Sequence, residues 1–400
     1  MKAVNQLKTF QRILGEYPAD TPLSKFLPGF YRQNKQMGST DRKVAGRLIY
    51  NYFRLGRALP NLPAEDRLMV AEFFCNTQTN SFLQHFKPDW AACISFNIDE
   101  KIALVKTTYP DFKLEDVFPW SKELSEGIDK QAFLKSFFVQ PDLFIRVNKG
   151  FEQQVKSELT KADVKFKDEG NNCLSLPNST RLDVIFPKQH WFEVQDLSSQ
   201  QTANYFKPNR WDSWWDACAA SGGKSLLLHS LQPDIKLVVS DIRESILSNL
   251  DERFQQAGLM KYQKKVMALM QNNEQLLYNY AFDGIILDAP CSGSGTWGRT
   301  PEMVSQFEIH KADFFKRLQQ GIATNVAKHL KPGKPLIYIT CSALKAENED
   351  AVNYLIKELG LELEEQQVLK GYSHKADTMF VARLVAPGQE SRSENQESRE

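Results

Sequence analysis

Cys291 and Cys341 are the residues best placed to do chemistry. Each follows a short apolar run: Gly284-Ile285-Ile286-Leu287 leads into Asp288-Ala289-Pro290-Cys291, and Leu336-Ile337-Tyr338-Ile339 leads into Thr340-Cys341-Ser342. Such runs read as buried parallel strands. Open α/β sheets bind ligands beyond the carboxyl ends of their strands, so both thiols are expected to open into one cleft. One thiol there suggests a nucleophile, and two beside a glycine-rich loop suggest covalent catalysis on a base. A lone buried cysteine is more often inert core. Cys291, however, is followed by Ser292-Gly293-Ser294-Gly295, which reads as a flexible loop. Cys341 precedes the polar stretch Ala346-Glu347-Asn348-Glu349-Asp350, and a helix starting there would favour its thiolate. Asp288 is expected to meet the Watson–Crick edge of a base.

A second cluster is Asp216-Ala217-Cys218-Ala219-Ala220-Ser221-Gly222-Gly223-Lys224. Small residues let a ligand approach the backbone, and two glycines expose N–H groups at a helix start. The pattern is neither the dinucleotide fingerprint G-x-G-x-x-G nor the Walker loop. A ligand with a methionine-type carboxylate suits it; the bland alternative is a plain βα turn. About twenty residues on, Val238-Val239-Ser240 ends in Asp241. An acid at that strand tip suits ribose hydroxyls, and a helix N-cap is the simpler reading.

These residues need a scaffold. From about residue 205 strands alternate with helices: Ser213–Asp216, Lys236–Ser240, Val266–Met270, Gly284–Asp288 and Leu336–Thr340 read as strands, with helices over Ser245–Gln256 and Lys311–His329. That is a doubly wound, mostly parallel sheet of Rossmann-like α/β type over 205–386. Residues 140–204 read as a small α+β module, with strands Leu143–Val147, Leu174–Leu176 and Arg181–Ile185 and a helix over Phe151–Leu159. Residues 1–135 read as all helical; one helix runs over Asp41–Leu55, with Ser39 or Thr40 able to cap it. Residues 387–400 hold nothing to bury and read as a disordered tail.

Lys plus Arg is 50 and Asp plus Glu 49, so global charge excludes nothing. Residues 1–60 are different: eleven Lys or Arg face three acids, interleaved with Phe26, Phe30, Tyr31, Tyr50, Tyr52 and Phe53. That suits phosphate contacts and base stacking, or simply a solvated helical surface. The six cysteines include no C-x-x-C pair, so no metal site is expected. No signal segment and no run long enough to span a membrane is read, so a soluble, cytoplasmic protein is expected.

Together, Asp216-x-Cys218-Ala219-Ala220-x-Gly222-Gly223-Lys224, Asp288-Ala289-Pro290-Cys291-Ser292-Gly293 and Thr340-Cys341-Ser342 resemble the Sun/Fmu (RsmB-like) family of S-adenosylmethionine-dependent RNA cytosine-5 methyltransferases. Ile145-Arg146-Val147-Asn148, Glu193-Val194-Gln195-Asp196, Glu347-Asn348-Glu349 and Met379–Leu384 support the resemblance, which covers 142–385. The helical third looks like the NusB-type RNA-binding domain of the 16S rRNA branch. The resemblance implies a methyltransferase domain in which Cys341 attacks C6 of a flipped cytosine. Asp288 would bond the base edge, C5 would take the methyl group, and Cys291 would assist release. S-adenosylmethionine would lie on Cys218, Ala219, Ala220, Ser221, Gly222, Gly223 and Lys224, beside Asp288, with Asp241 at the ribose. The expected partner is RNA, chiefly small-subunit rRNA, with no membrane and no metal, and the chain is expected to act as a monomer.

The sequence departs from the family pattern in places. Ser221 stands where the loop usually has proline. The acid expected near the adenine is missing, and Asn272 or Asn273 is nearest. Arg299-Thr300-Pro301-Glu302 has one basic residue fewer than the family's arginine-then-proline segment. Other readings are a tRNA cytosine-5 methyltransferase, a DNA enzyme with Cys291 as nucleophile, and a catalytically weak RNA-binding ribosome-assembly factor. A nicotinamide oxidoreductase lacks its fingerprint.

Overall fold

A computed structural model describes residues 2–187 and 190–388; the expected tail lies outside the described residues from 389 on. Two compact units emerge.

The first holds residues 1–124, 129–141 and 296–309. Its longer helices are Lys2–Glu16, Leu23–Gln33, Ser39–Arg54, Ala64–Cys75 and Ile98–Thr108. Gly38, not Ser39 or Thr40, precedes the third, with no side-chain cap. Its apolar stripe is aromatic: Phe10 lies 5.2 Å from Tyr52, ring centre to ring centre. Phe30, Tyr52 and Phe53 are therefore core rather than stacking platforms. Arg54 is buried too, donating to the carbonyls of Phe137 and Val139, and Arg47 pairs with buried Glu72. Lys2, Lys8, Lys25, Arg32, Lys35 and Lys43 remain exposed. The stretch 296–309 builds into this unit: Glu302 accepts from the Leu23 N–H at 3.0 Å, and Trp297 packs on Phe118 and Phe307.

The second unit carries two sheets. The smaller has order β2-β3-β1-β4 and consists of β1 (Leu143–Val147), β2 (Lys167–Gly170), β3 (Cys173–Leu176) and β4 (Phe192–Val194). Residues Leu182–Ile185 are a short helix, not the expected strand. The larger sheet is built from β5 (Ser213–Asp216), β6 (Lys236–Asp241), β7 (Gln263–Val266), β8 (Gly284–Asp288), β9 (Pro335–Thr340), β10 (Glu362–Lys370) and β11 (Thr378–Val385). Its order is β10-β11-β9-β8-β5-β6-β7. Strands β5 to β9 are parallel, while β10 and β11 form an antiparallel hairpin against β9. The expected α/β sheet with a helical region before it is the observed fold.

Both faces of the parallel strands are buried, which explains their unbroken apolar runs. Trp215, Ile285, Leu287 and Tyr338 face one core; Trp214, Ile286, Ile337 and Ile339 face the other. Each such side chain contributes about 1.5–3 kcal/mol. The strand expected at Val266–Met270 instead ends at Val266, and Met267–Met270 turns into the cleft. Strand order reverses at β5, between β8 and β6, so a crevice opens at the carboxyl ends there.

Candidate active site

Four strand ends meet at that crevice: Asp216 on β5, Asp241 on β6, Asp288 on β8 and Thr340, next to Cys341, on β9. A cleft of about 630 Å³ opens beside them. Cys218, Ala220, Asp241, Asp288, Cys291 and Cys341 all line it, as do apolar residues including Met267, Leu269 and Ile322.

The two thiols face each other, Sγ to Sγ, at 3.2 Å. Hydrogen bonding with Cys341, and then burial, hold the Cys291 thiol well above its ordinary range. The α-helix after Cys341 starts only at Glu349, and the close partner of the Cys341 sulfur is the Cys291 sulfur.

The loops carrying the thiols are clamped by one residue that the sequence reading left without a role. Glu347 accepts from the Ser292 N–H at 2.8 Å, from Ser342 Oγ at 2.7 Å and from Gln319 Nε2 at 3.2 Å. Gln319 also donates to the Pro290 carbonyl at 3.0 Å. Burial pushes the Glu347 carboxyl up. Ser292–Gly295 is accordingly not flexible. Ser294 Oγ lies 3.0 Å from Ser342 Oγ and accepts from the Ala343 N–H, and the Gly295 N–H donates to the Cys341 carbonyl at 2.9 Å. A Cβ on Gly295 would sit 2.0 Å from the Thr378 carbonyl oxygen, so only glycine fits.

Asp288 pairs with Lys224 at 3.0 Å, and Lys224 also donates to Ser199 Oγ at 2.8 Å. Lys224 is thus fixed on the Asp288 carboxylate. The glycine loop divides by orientation. Cys218 and Ala220 face the cleft. Ala219 packs in the core. Ser221 accepts from Arg253, which also pairs with Glu193 at 2.7 Å. Gly222 takes φ +81°, and a Cβ there would strike Phe254 at 2.3 Å; Gly223 opens the helix.

Asp241 accepts from the Ala220 and Arg243 N–H groups and from the Arg243 guanidinium. Burial works to raise its carboxyl, and these bonds overcome that, leaving it below the usual range. The guanidinium that bonds Asp241 is largely exposed. Asn272 does not line the cleft: its Oδ1 accepts from the Glu274 N–H, and it lines a separate cavity with Asn273. Apolar side chains, not an amide, border the cleft where an adenine is expected. An apolar floor ending in a carboxylate, within a cavity of this size, fits a nucleoside-bearing ligand. Among the described residues no His, Cys, Asp and Glu group could hold a metal ion.

A parallel sheet with acids at successive strand ends and a glycine turn after β5 is the architecture of a Rossmann-like methyltransferase, here with a paired-thiol cleft. Residues 203–393 match the family described as 16S rRNA methyltransferase RsmB/F, in line with the resemblance to the Sun/Fmu (RsmB-like) family. A relative called ribosomal RNA small subunit methyltransferase B, from Klebsiella pneumoniae (strain 342), is 29% identical over 284 residues, covering 66% of this chain and 63% of that protein. The protein of that name from Shewanella oneidensis is 34% identical over 160 residues, covering 40% and 37%. The chain thus spans less than two thirds of the length of these relatives. Among solved structures, PH0851 superposes with a TM-score of 0.65 at 18% identity, over 89% of this chain and 92% of that one. NSun6 from Pyrococcus horikoshii with SFG superposes with a TM-score of 0.59 at 17% identity, over 67% and 96%.

Proposed function

We propose that the chain transfers a methyl group from S-adenosylmethionine to C5 of a cytosine in RNA, with small-subunit rRNA as substrate. The observation that carries the reading is the thiol pair, 3.2 Å apart on the wall of a cleft that also holds Asp241 and Asp288. The names of the relatives supply the RNA class.

Cys341 is the nucleophile: its sulfur, 3.2 Å from that of Cys291, adds to C6 as the ring nitrogen takes up a proton, and leaves C5 electron-rich. Asp288, held by Lys224, accepts from the exocyclic amine and orients the ring. S-adenosylmethionine, when bound, supplies an electrophilic methyl group. Asp241 holds its ribose, once the Arg243 guanidinium swings aside, and Ala220 and Cys218 flank it. The C5 proton passes to water, the C5–C6 double bond re-forms and Cys341 leaves as the S–C6 bond breaks, with Cys291 assisting release. A paired cytosine must leave its stack to reach this cleft. The exposed lysines of the helical unit add backbone attraction.

The test is covalent trapping. Wild type, Cys291→Ala and Cys341→Ala are incubated with S-adenosylmethionine and unmodified small-subunit rRNA, then resolved on denaturing gels. A protein–RNA adduct that accumulates in Cys291→Ala and never forms in Cys341→Ala is the expected result. An adduct that depends on Cys291 and forms on DNA overturns the assignment, and the absence of both adduct and cofactor binding favours an assembly factor.

A further inference from the structure

A second cavity, of about 540 Å³, lies in the same unit beside the small sheet, and Arg146 and Lys149 line it. Arg146 is 8% exposed. Its Nε donates to Gln195 Oε1 at 3.0 Å. Among the described residues no hydrogen bond engages its η nitrogens, which leaves a rigid fork of donors. Lys149 stands exposed at the rim without an ion-pair partner among the described residues.

The carboxylates nearby are already committed. Glu152 accepts from the Gly150 N–H, Glu169 pairs with Lys167 and accepts from Ser175, and Glu193, across the strand from Arg146, pairs with Arg253. Glu152 and Glu169 line the cavity as well, so what sets it apart is the donor fork of the buried Arg146, whose η nitrogens carry no hydrogen bond among the described residues. Around them stand the amides of Asn148, Asn171, Asn172 and Asn204. A buried, unpaired guanidinium is costly unless an anion meets it.

The cavity is wired to the cleft. Gln195 Nε2 donates to Ser199 Oγ at 3.1 Å, Ser199 Oγ accepts from Lys224 at 2.8 Å, and Lys224 pairs with Asp288 at 3.0 Å. The chain Arg146–Gln195–Ser199–Lys224–Asp288 is continuous.

We infer that this cavity takes a backbone phosphate of the RNA strand on Arg146 and Lys149, with the amides meeting the adjoining nucleotide; the inference rests on RNA being the substrate class. Strand binding there reinforces the network that holds Asp288.

The experiment measures binding of a labelled single-stranded RNA to the full chain at several salt concentrations, for wild type, Lys149→Gln and Arg146→Lys, with inorganic phosphate as a competitor. Lys149→Gln is exposed and keeps the test open if Arg146→Lys is poorly folded. The expected result is several-fold weaker RNA binding, with the slope of log affinity on log salt falling by roughly one for Lys149→Gln, and unchanged S-adenosylmethionine binding. RNA affinity and slope that ignore Lys149→Gln overturn the inference, as does a variant that loses inorganic phosphate binding while keeping RNA binding. The readout stands apart from methyl transfer. A chain that binds RNA through these residues but transfers no methyl group supports the cavity and sinks the function above. A chain that methylates RNA with affinity blind to both substitutions does the reverse.

Discussion

Glu347 shows how one carboxylate sets a distance between two sulfurs. It takes one bond from the Cys291 loop and one from the Cys341 loop. Glu347→Gln turns one acceptor into an NH2 facing donors, and bonds to a charged acceptor contribute about 1.5–3 kcal/mol each. We expect a lower melting temperature, and single-turnover methyl transfer slowed at least tenfold at unchanged cofactor affinity; wild-type turnover in this variant refutes the clamp. Asp216 offers a test by pH. Burial pushes its carboxyl up to about 7, against the Ser225 hydroxyl that donates to it at 2.6 Å. The folded value lies above the unfolded one near 3.8. Its contribution to stability is therefore intact below that value and is lost as pH climbs toward 7. Asp216→Asn cannot ionise, so its stability relative to wild type should improve steadily from pH 4 to pH 8 in thermal melts. A difference that stays flat with pH counts against a buried, neutral Asp216.

At the scale of elements, the two thiol loops interlock through Gly295, whose N–H holds the Cys341 carbonyl. Gly295→Ala forces its Cβ into the Thr378 carbonyl. The loops must part, so trapped adduct should fall sharply while S-adenosylmethionine still binds; normal trapping in Gly295→Ala means the loops tolerate separation. Elements were legible in the sequence where burial was uniform. Strands β5, β6, β8 and β9 stand in the middle of the sheet and read as apolar runs. Edge strands escaped: β7 carries Lys264 and Lys265, and β10 opens Glu-Leu-Glu-Glu-Gln-Gln, because an edge faces water. Arg181–Ile185 has strand-like composition but closes a single helical turn. Residue types at strand tips were legible: Cys291, Cys341, Asp241 and Asp288, singled out in the sequence, do line one cleft. What escaped the reading are residues that act through others: Glu347, Gln319 and Ser199 bond partners 25 or more positions away, on Ser292, Pro290 and Lys224.

At the scale of the whole molecule, the chain leaves the sheet-bearing unit after Gly295 and returns at His310. The intervening stretch supplies Trp297 and Phe307 to the helical unit, where Arg57 bonds the carbonyls of Val304 and Phe307. A chain trimmed to residues 142–388 strips these side chains of their cover. It should aggregate or bind a hydrophobic dye, whereas the full chain should not; a soluble, cooperatively melting trimmed chain would show that 296–309 refolds alone.

That excursion also fixes an order in time. The bond from Leu23 to Glu302 spans 279 positions of sequence. During synthesis most of the helical unit precedes the sheet-bearing unit, yet it lacks its last wall until residues 296–309 have been made. The enclosed loop costs entropy that grows only with the logarithm of its length, but the delay grows with the length itself. A unit made before most of the sheet is therefore among the last to close.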